Sequence, residues 1–246
     1  MKSRMATALK FDKLNRLEYR DYFGKMYITP AQMRKRIDLA RDIEDVMLYM
    51  FAYWVIAADA EIPLAEIKQD VEERLTSAVE KHLKLDPYIR EHITQVVDEV
   101  ADVTANRDKK RKRLELQELD ELDDQQAMQN EPQQGLDWDA EEESEADEEN
   151  YWTSRERAML ISANEANAFE NYNEYREAKA QGKTKKKWLT MMDEKVRLDH
   201  SIAEGQTVDI DGLFLIGGHK MEFPMDASHG APANETVNCR CSCDYS

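Results

Sequence analysis

Apolar residues recur at helical spacing through most of the first hundred positions. After Thr29-Pro30, the residues Met33, Ile37, Ala40, Ile43, Met47, Met50, Trp54 and Ala58 fall at helical intervals, which predicts a long amphipathic helix. Thr29 is placed to cap it, and Pro30 occupies the first helical position, where its missing N–H costs nothing. Ile62-Pro63 breaks the pattern. A second stripe follows at Ile67, Val71, Leu75, Ala78, Val79 and Leu83. Asp86-Pro87 repeats the start signal and opens a third, at Ile89, Ile93, Val96, Val97, Val100 and Val103. Three helices of this kind can bury one another's stripes as a small bundle. The run Val46 to Ala58 (VMLYMFAYWVIAA) is too short and too aromatic for a bilayer span of about 20 residues. It reads as a buried helix, with Tyr49 to Trp54 as core packing or, alternatively, as a docking face for a partner.

Beyond residue 150 the pattern changes twice. Thr153 or Ser154 can cap a helix through about Ala180, with Ala158, Ile161, Ala168, Tyr172 and Tyr175 facing inward and Gln181-Gly182 ending it. A basic run, Lys183 to Lys187, then leads into Trp188 as a loop, and a short helix is predicted over Asp193 to His200. From Gly205 onward, glycines and Pro224 punctuate short alternating stretches such as Thr207 to Phe214, which read as strands and turns. The fold class expected is therefore α+β: an N-terminal helical bundle (1–113), a linker (114–150) and a small C-terminal α+β domain (151–246).

The linker follows from charge. Of the 246 residues, 34 are Lys or Arg and 51 are Asp or Glu, a net charge of −17. Residues 114–150 hold sixteen of those acids and no Lys or Arg. Such low hydrophobicity at such high charge cannot offset the entropy of ordering, so the segment is expected to be an acidic disordered linker. The acidic balance argues against a general binder of nucleic acid or anionic membrane. The hexamer DKKRKR (Asp108 to Arg113) beside the acidic tract reads as a solvated run rather than a phosphate site. The N-terminal MKSRMATALKFDK lacks the apolar core of a signal sequence, and three cysteines, Cys239, Cys241 and Cys243, fit a reducing compartment.

Those cysteines carry the candidate chemistry. In an extended strand the C-x-C-x-C spacing would turn all three to one face, where two or three thiolates with His200 can form a tetrahedral structural zinc site; the alternative is that Cys239 and Cys241 are small buried residues of a terminal strand, or pair only on oxidation. His219 or His229 are substitute ligands. Arg240 would face the opposite way, towards solvent or a carboxylate. If Asp193 to His200 is helical, Asp193, Arg197 and His200 share a face and Asp193 can pair with Arg197. An acid–base role for His200 is the enzyme alternative, but no nucleophile or phosphate loop accompanies it, so catalysis is not expected. The basic stretch Lys183 to Lys187 beside Trp188 has the composition of a nucleic-acid contact, giving a third reading, a zinc-stabilised nucleic-acid-binding module.

One resemblance orders these fragments. Lys187-Trp188, Asp193, Val196-Arg197, His200, Gly205, Val208, Asp211, Phe214, Phe223-Pro224, Ala233 and the closing Asn238-Cys239-Arg240-Cys241 occur in the series that marks the phage Mu F-like head morphogenesis domain. The stretch RAMLISANEANAFENYNEYREA resembles the helix that opens that domain. The resemblance runs from about Arg155 to Cys243. It implies a minor head (capsid) protein, present in few copies in the virion and assembled in the host cytoplasm. The implied partners are the portal or major coat protein and, at the head interior, packaged DNA, with no membrane role. In some members the domain is fused to toxin or enzyme domains.

Overall fold

The computed structural model describes residues 16–24, 26–60, 62–106 and 152–246. The acidic segment 114–150 and the DKKRKR hexamer lie outside the described residues. Helix α1 (Arg16–Phe23) leads to the long α2 (Pro30–Ala60), followed by α3 (Leu64–Glu80) and α4 (residues 87–106). After the acidic segment come α5 (Arg155–Ala180), β1 (Lys185–Leu189), α6 (Leu198–Ile202), β2 (Thr207–Asp209), β3 (Phe214–Ile216), β4 (His219–Met221), α7 (Ala233–Thr236) and β5 (Ser242–Tyr245). The fold is α+β.

The starts of α2, α4 and α5 sit where the sequence signals put them. At the start of α2, Gln32 N donates to Thr29 Oγ1 at 3.3 Å, while the Gln32 side chain returns to accept from Thr29 N at 2.8 Å, so two orphan donors are satisfied reciprocally. Ile89 N donates to Asp86 Oδ1 at 3.0 Å at the start of α4, and Arg157 N donates to Ser154 Oγ at 3.2 Å at the start of α5. Most of the three stripes is buried; among the described side chains Met33 and Trp54 are half-buried and Val103 is 41% exposed.

Composition divides the chain into three, but packing joins its first and third parts. Phe23, Leu39, Ile43 and Met47 share one core with Ala163, Ala166 and Phe169 of α5. Tyr88 of α4 stacks on Tyr172 of α5 at 4.1 Å, and His92 Nε2 meets Glu165 Oε2 at 2.8 Å. Helix α5 is thus flanked by the bundle on one side and by the C-terminal strands on the other. It buries a polar face: Arg36 of α2, fully buried, donates to Asn167 Oδ1 (2.9 Å) and Asn171 Oδ1 (3.0 Å) and bidentately to Glu174 (2.6 and 3.1 Å).

Glu170 lies on the same helix, 1% exposed, with Oε2 lacking a hydrogen-bond partner. Burial pushes its carboxyl up from 4.5 to about 7. The folded protein therefore keeps a proton that the unfolded chain releases. Stability is full below pH 4.5, falls as pH rises towards about 7 and is level above. Glu170→Gln should remove this slope, matching the native protein in acid and exceeding it near pH 8 by on the order of 1–2 kcal/mol in urea unfolding. Parallel pH profiles for the two proteins would refute the assignment.

The C-terminal sheet has the order β2-β1-β5, all antiparallel, with Lys186 opposite Val208 and Trp188 opposite Cys243. A hairpin of β3 and β4 turns through Gly217 and Gly218, both at positive φ (55° and 85°), which suits a two-residue turn. The basic run expected as a loop is thus largely the central strand of the sheet. Lys186 is fully buried, donates to Glu222 O at 2.6 Å and lies 4.6 Å from the Tyr175 ring centroid. It is withdrawn from any phosphate, and Lys185 is engaged by Asp209.

Candidate metal centre

Four short pieces converge beside this sheet. Helix α6 contributes His200, α7 contributes Glu235, and the segment ahead of β5 contributes Cys239 and Cys241; Trp188 of β1 forms the floor. The predicted helix over Asp193 to His200 is shorter and later, beginning at Leu198. Asp193 explains the delay. Its Oδ1 accepts from Lys195 N at 3.1 Å, a local bond that competes with helix formation, and Arg197 holds an extended ψ of 149°. Asp193 and His200 therefore share no helical face, and the expected Asp193–Arg197 pair does not form. Asp193 binds Arg240 instead, at 3.1 Å, and Arg197 donates to Val237 O. Arg240 thus reaches a carboxylate, as its place between the two cysteines suggested.

The segment carrying the cysteines is held by α5. Asn164 Oδ1 accepts from Asn238 N (2.6 Å), Asn167 Nδ2 donates to Cys239 O (2.9 Å) and Asn171 Nδ2 donates to Cys241 O (3.3 Å). Residues 164, 167 and 171 fall on one helical face. The side-chain oxygens of Asn167 and Asn171 are fixed by Arg36, so the amide nitrogens can only point at the cysteine segment. A residue of the N-terminal bundle thereby sets the position of two C-terminal cysteines.

His200 is 2% exposed, Cys239 2% and Cys241 3%. Nδ1 of His200 lies 3.4 Å from Cys241 Sγ and 3.5 Å from Cys239 Sγ, and the three donor atoms all fall within 4.8 Å of one another. The far nitrogen, Nε2, meets Glu235 Oε2 at 3.0 Å. Glu235 is held by Asn234 Nδ2 at 3.0 Å on its other oxygen. Gly217 leaves the room: a Cβ there would come within 3.1 Å of Glu235 Oε1 and 3.0 Å of Asp199 Oδ2. Trp188 packs edge-on against His200 with ring centroids 5.7 Å apart. Its indole N–H, buried without a well-formed hydrogen bond, acts on the Cys241 sulfur and favours the thiolate.

The two thiols share charge unequally. The hydrogen bond from Cys241, reinforced by His200, holds Cys239 well below the usual thiol range, while Cys241 beside it is pushed up. Burial opposes protonation of His200, but Cys239 and Glu235 outweigh it and raise its pKa. Without a metal ion the cluster is thus a thiolate–imidazolium pair with a carboxylate behind the imidazole. With a divalent ion it is a His-Cys-Cys ligand set with the second imidazole nitrogen oriented by a carboxylate.

Cys243 is not part of it. Asn238 takes a positive φ of 56° and the strand begins only at Ser242, so the three cysteines do not form one extended face. Cys243 sits opposite Trp188 and lines a separate groove of about 590 Å³ with Tyr27, Glu174 and Tyr245, its thiol pushed up by burial. Among the described residues His219 lies in β4 and His229 pairs with Glu222 at 3.8 Å, both outside the cluster. Sequence reading missed Glu235 and the asparagine face. The spacing of Asn164, Asn167 and Asn171 was the available signal for the latter.

The cavity against the cluster measures about 20 Å³, room for one water or small ligand and too little for an organic substrate. No helix among the described residues is long and apolar enough to cross a membrane.

Comparison with known proteins adds three findings. The profile of the family described as phage Mu protein F like protein matches residues 69–244, from within α3 to β5. A relative from Enterococcus faecalis (strain ATCC 700802 / V583), an NAD(+)–arginine ADP-ribosyltransferase named EFV, is 38% identical over 93 residues, which cover 36% of this chain and 18% of that protein. The chain therefore spans less than a fifth of the length of that relative. No solved structure matches.

Proposed function

Because the chain belongs to the phage Mu protein F-like family, whose members act in phage head morphogenesis, we propose that it is a minor head protein, bound to the portal or major coat protein and facing packaged DNA at the head interior. The observation that carries this reading is the extent of the family match. It takes in most of α3, all of α4 and α5, the sheet and the His200–Cys239–Cys241 cluster as one stretch, so α4, which stacks on α5 through Tyr88 and Tyr172, belongs to the same matched unit. The acidic balance suits a protein that works beside DNA without binding it broadly. The reading gives His200 a structural rather than a catalytic role, supported by the small space beside it, about 20 Å³. The Enterococcus faecalis relative is named as a transferase, and the shared stretch covers 18% of that protein.

The test is genetic and biochemical together. Phage carrying a deletion of this gene should yield heads that fail to become infectious, and the tagged protein should co-purify with the portal or coat protein. Normal, fully infectious particles assembled without it would sink the proposal.

A structural zinc ion at His200, Cys239 and Cys241 belongs to the same reading, since so small a sheet buries a limited core and gains from a staple. Metal analysis of the full-length protein should find about one zinc per chain, lost in the double variant Cys239→Ser, Cys241→Ser. A metal-free native protein would remove the zinc.

A further inference from the structure

The cluster offers three ligand atoms, and a tetrahedral ion needs four. We propose that a zinc ion here keeps its fourth position for an exchangeable anionic oxygen ligand of carboxylate type, supplied from outside the described residues. The inference rests on the zinc reading above and goes beyond it.

The sulfur–nitrogen separations are already close to those of an occupied site. Tetrahedral bond lengths of about 2.3 Å to sulfur and 2.05 Å to nitrogen put a sulfur and a nitrogen about 3.6 Å apart. The two observed sulfur–nitrogen separations are 3.4 and 3.5 Å. The ion therefore meets its protein ligands with little movement, and His200 is fixed as an Nδ1 ligand because Nε2 donates its proton to Glu235.

Each described candidate for a fourth ligand is committed elsewhere. Glu235 is held between His200 and Asn234, Cys243 lines the groove beyond the sheet, and His219 and His229 stand outside the cluster. The space that is left is the small cavity beside His200, Cys239 and Cys241, whose walls include Lys195, Arg197 and Arg240. Two thiolates cancel the charge of a divalent ion, and against the three cations stand Asp193 and, behind His200, Glu235, which leaves about one net positive charge at the opening. Arg240 is answered in part by Asp193 at 3.1 Å, whereas Lys195 has an exposed side chain at the rim. A volume of about 20 Å³ admits one coordinating oxygen rather than a substrate, so the rest of the ligand must lie outside the opening. Sites closed by four protein ligands are inert, and a site with three keeps an exchangeable position. A side-chain carboxylate of a neighbouring head protein, or free carboxylate from solution, meets these requirements equally.

Cobalt reports the outcome. The full-length protein would be produced in cobalt-supplemented medium and its d–d absorption bands followed while acetate, and separately a short glutamate-containing peptide, is added. The expected result is a saturable shift of the bands with acetate, with Lys195→Glu weakening the apparent acetate affinity by about fivefold at unchanged cobalt content. A lower dissociation constant for the peptide than for acetate would identify a protein side chain as the better ligand; equal constants would identify free carboxylate. One cobalt per chain with bands that neither additive moves would overturn the open position while leaving the metal site standing. A protein that takes up no cobalt or zinc would overturn the metal reading itself.

Discussion

Arg36→Ala is expected to lower stability by about 3–5 kcal/mol, because it removes one partner of a buried ion pair and leaves the other uncompensated. Arg36 is fully buried and Glu174 10% exposed, so water cannot readily replace the guanidinium. The loss does not stop at Glu174. Asn167 and Asn171 lose the donors that fix their amides, and those amides hold the carbonyls of Cys239 and Cys241. The variant should therefore unfold at lower urea concentration and also bind zinc more weakly, although residue 36 touches no ligand. Arg36→Lys should rescue little, since an ammonium cannot span Glu174 and two asparagines with the fixed fork of a guanidinium. Unchanged zinc affinity in a folded Arg36 variant would show that the bundle and the cluster are independent.

Trp188→Ala is the second large effect, with an expected loss of about 3–5 kcal/mol. Trp188 is the largest fully buried side chain, and it contacts Phe214 edge-to-face at 5.2 Å and His200 at 5.7 Å. Its removal opens a cavity under the sheet and beside the metal ligand at once. If the alanine variant does not fold, Trp188→Phe decides the matter. It should retain the fold at a cost of about 1–2 kcal/mol, yet bind zinc less tightly, because the indole N–H that favours the Cys241 thiolate is gone. A phenylalanine variant with native zinc affinity would confine Trp188 to packing.

The bundle was legible in the sequence because each of its signals is local. Thr29-Pro30, Asp86-Pro87 and Ser154 act on the next three or four residues, and a capping bond depends on little else. The small C-terminal part was legible as a type and by family, but not in its contacts. Lys183 to Lys187 looks like a solvated loop because lysine is seldom buried; the carbonyl of Glu222 and the ring of Tyr175, both distant in sequence, receive Lys186. The asparagines of α5 carry no signal in the sequence, since nothing nearby announces that Arg36 and the cysteine segment will satisfy them. His200, Cys239 and Cys241 come together as the residue types suggested. Cys243 was misread because alternation along a strand was assumed before the strand begins, and the left-handed backbone at Asn238 was invisible.

The asparagine face of α5 also bears on the order of folding. Its bond to Arg36 joins residues 131 positions apart, and its bond to Cys239 joins residues 72 apart. Contacts so remote in sequence require the loop entropy to be met before any reward arrives, which makes them late and slow. Helices capped by their own neighbours can form first, while the cysteines stay apart and reduced in a chain still searching. The His200–Cys239–Cys241 cluster is then assembled last, and uptake of the proposed zinc becomes a readout of completed folding: in a refolding experiment it should lag behind the recovery of helical signal.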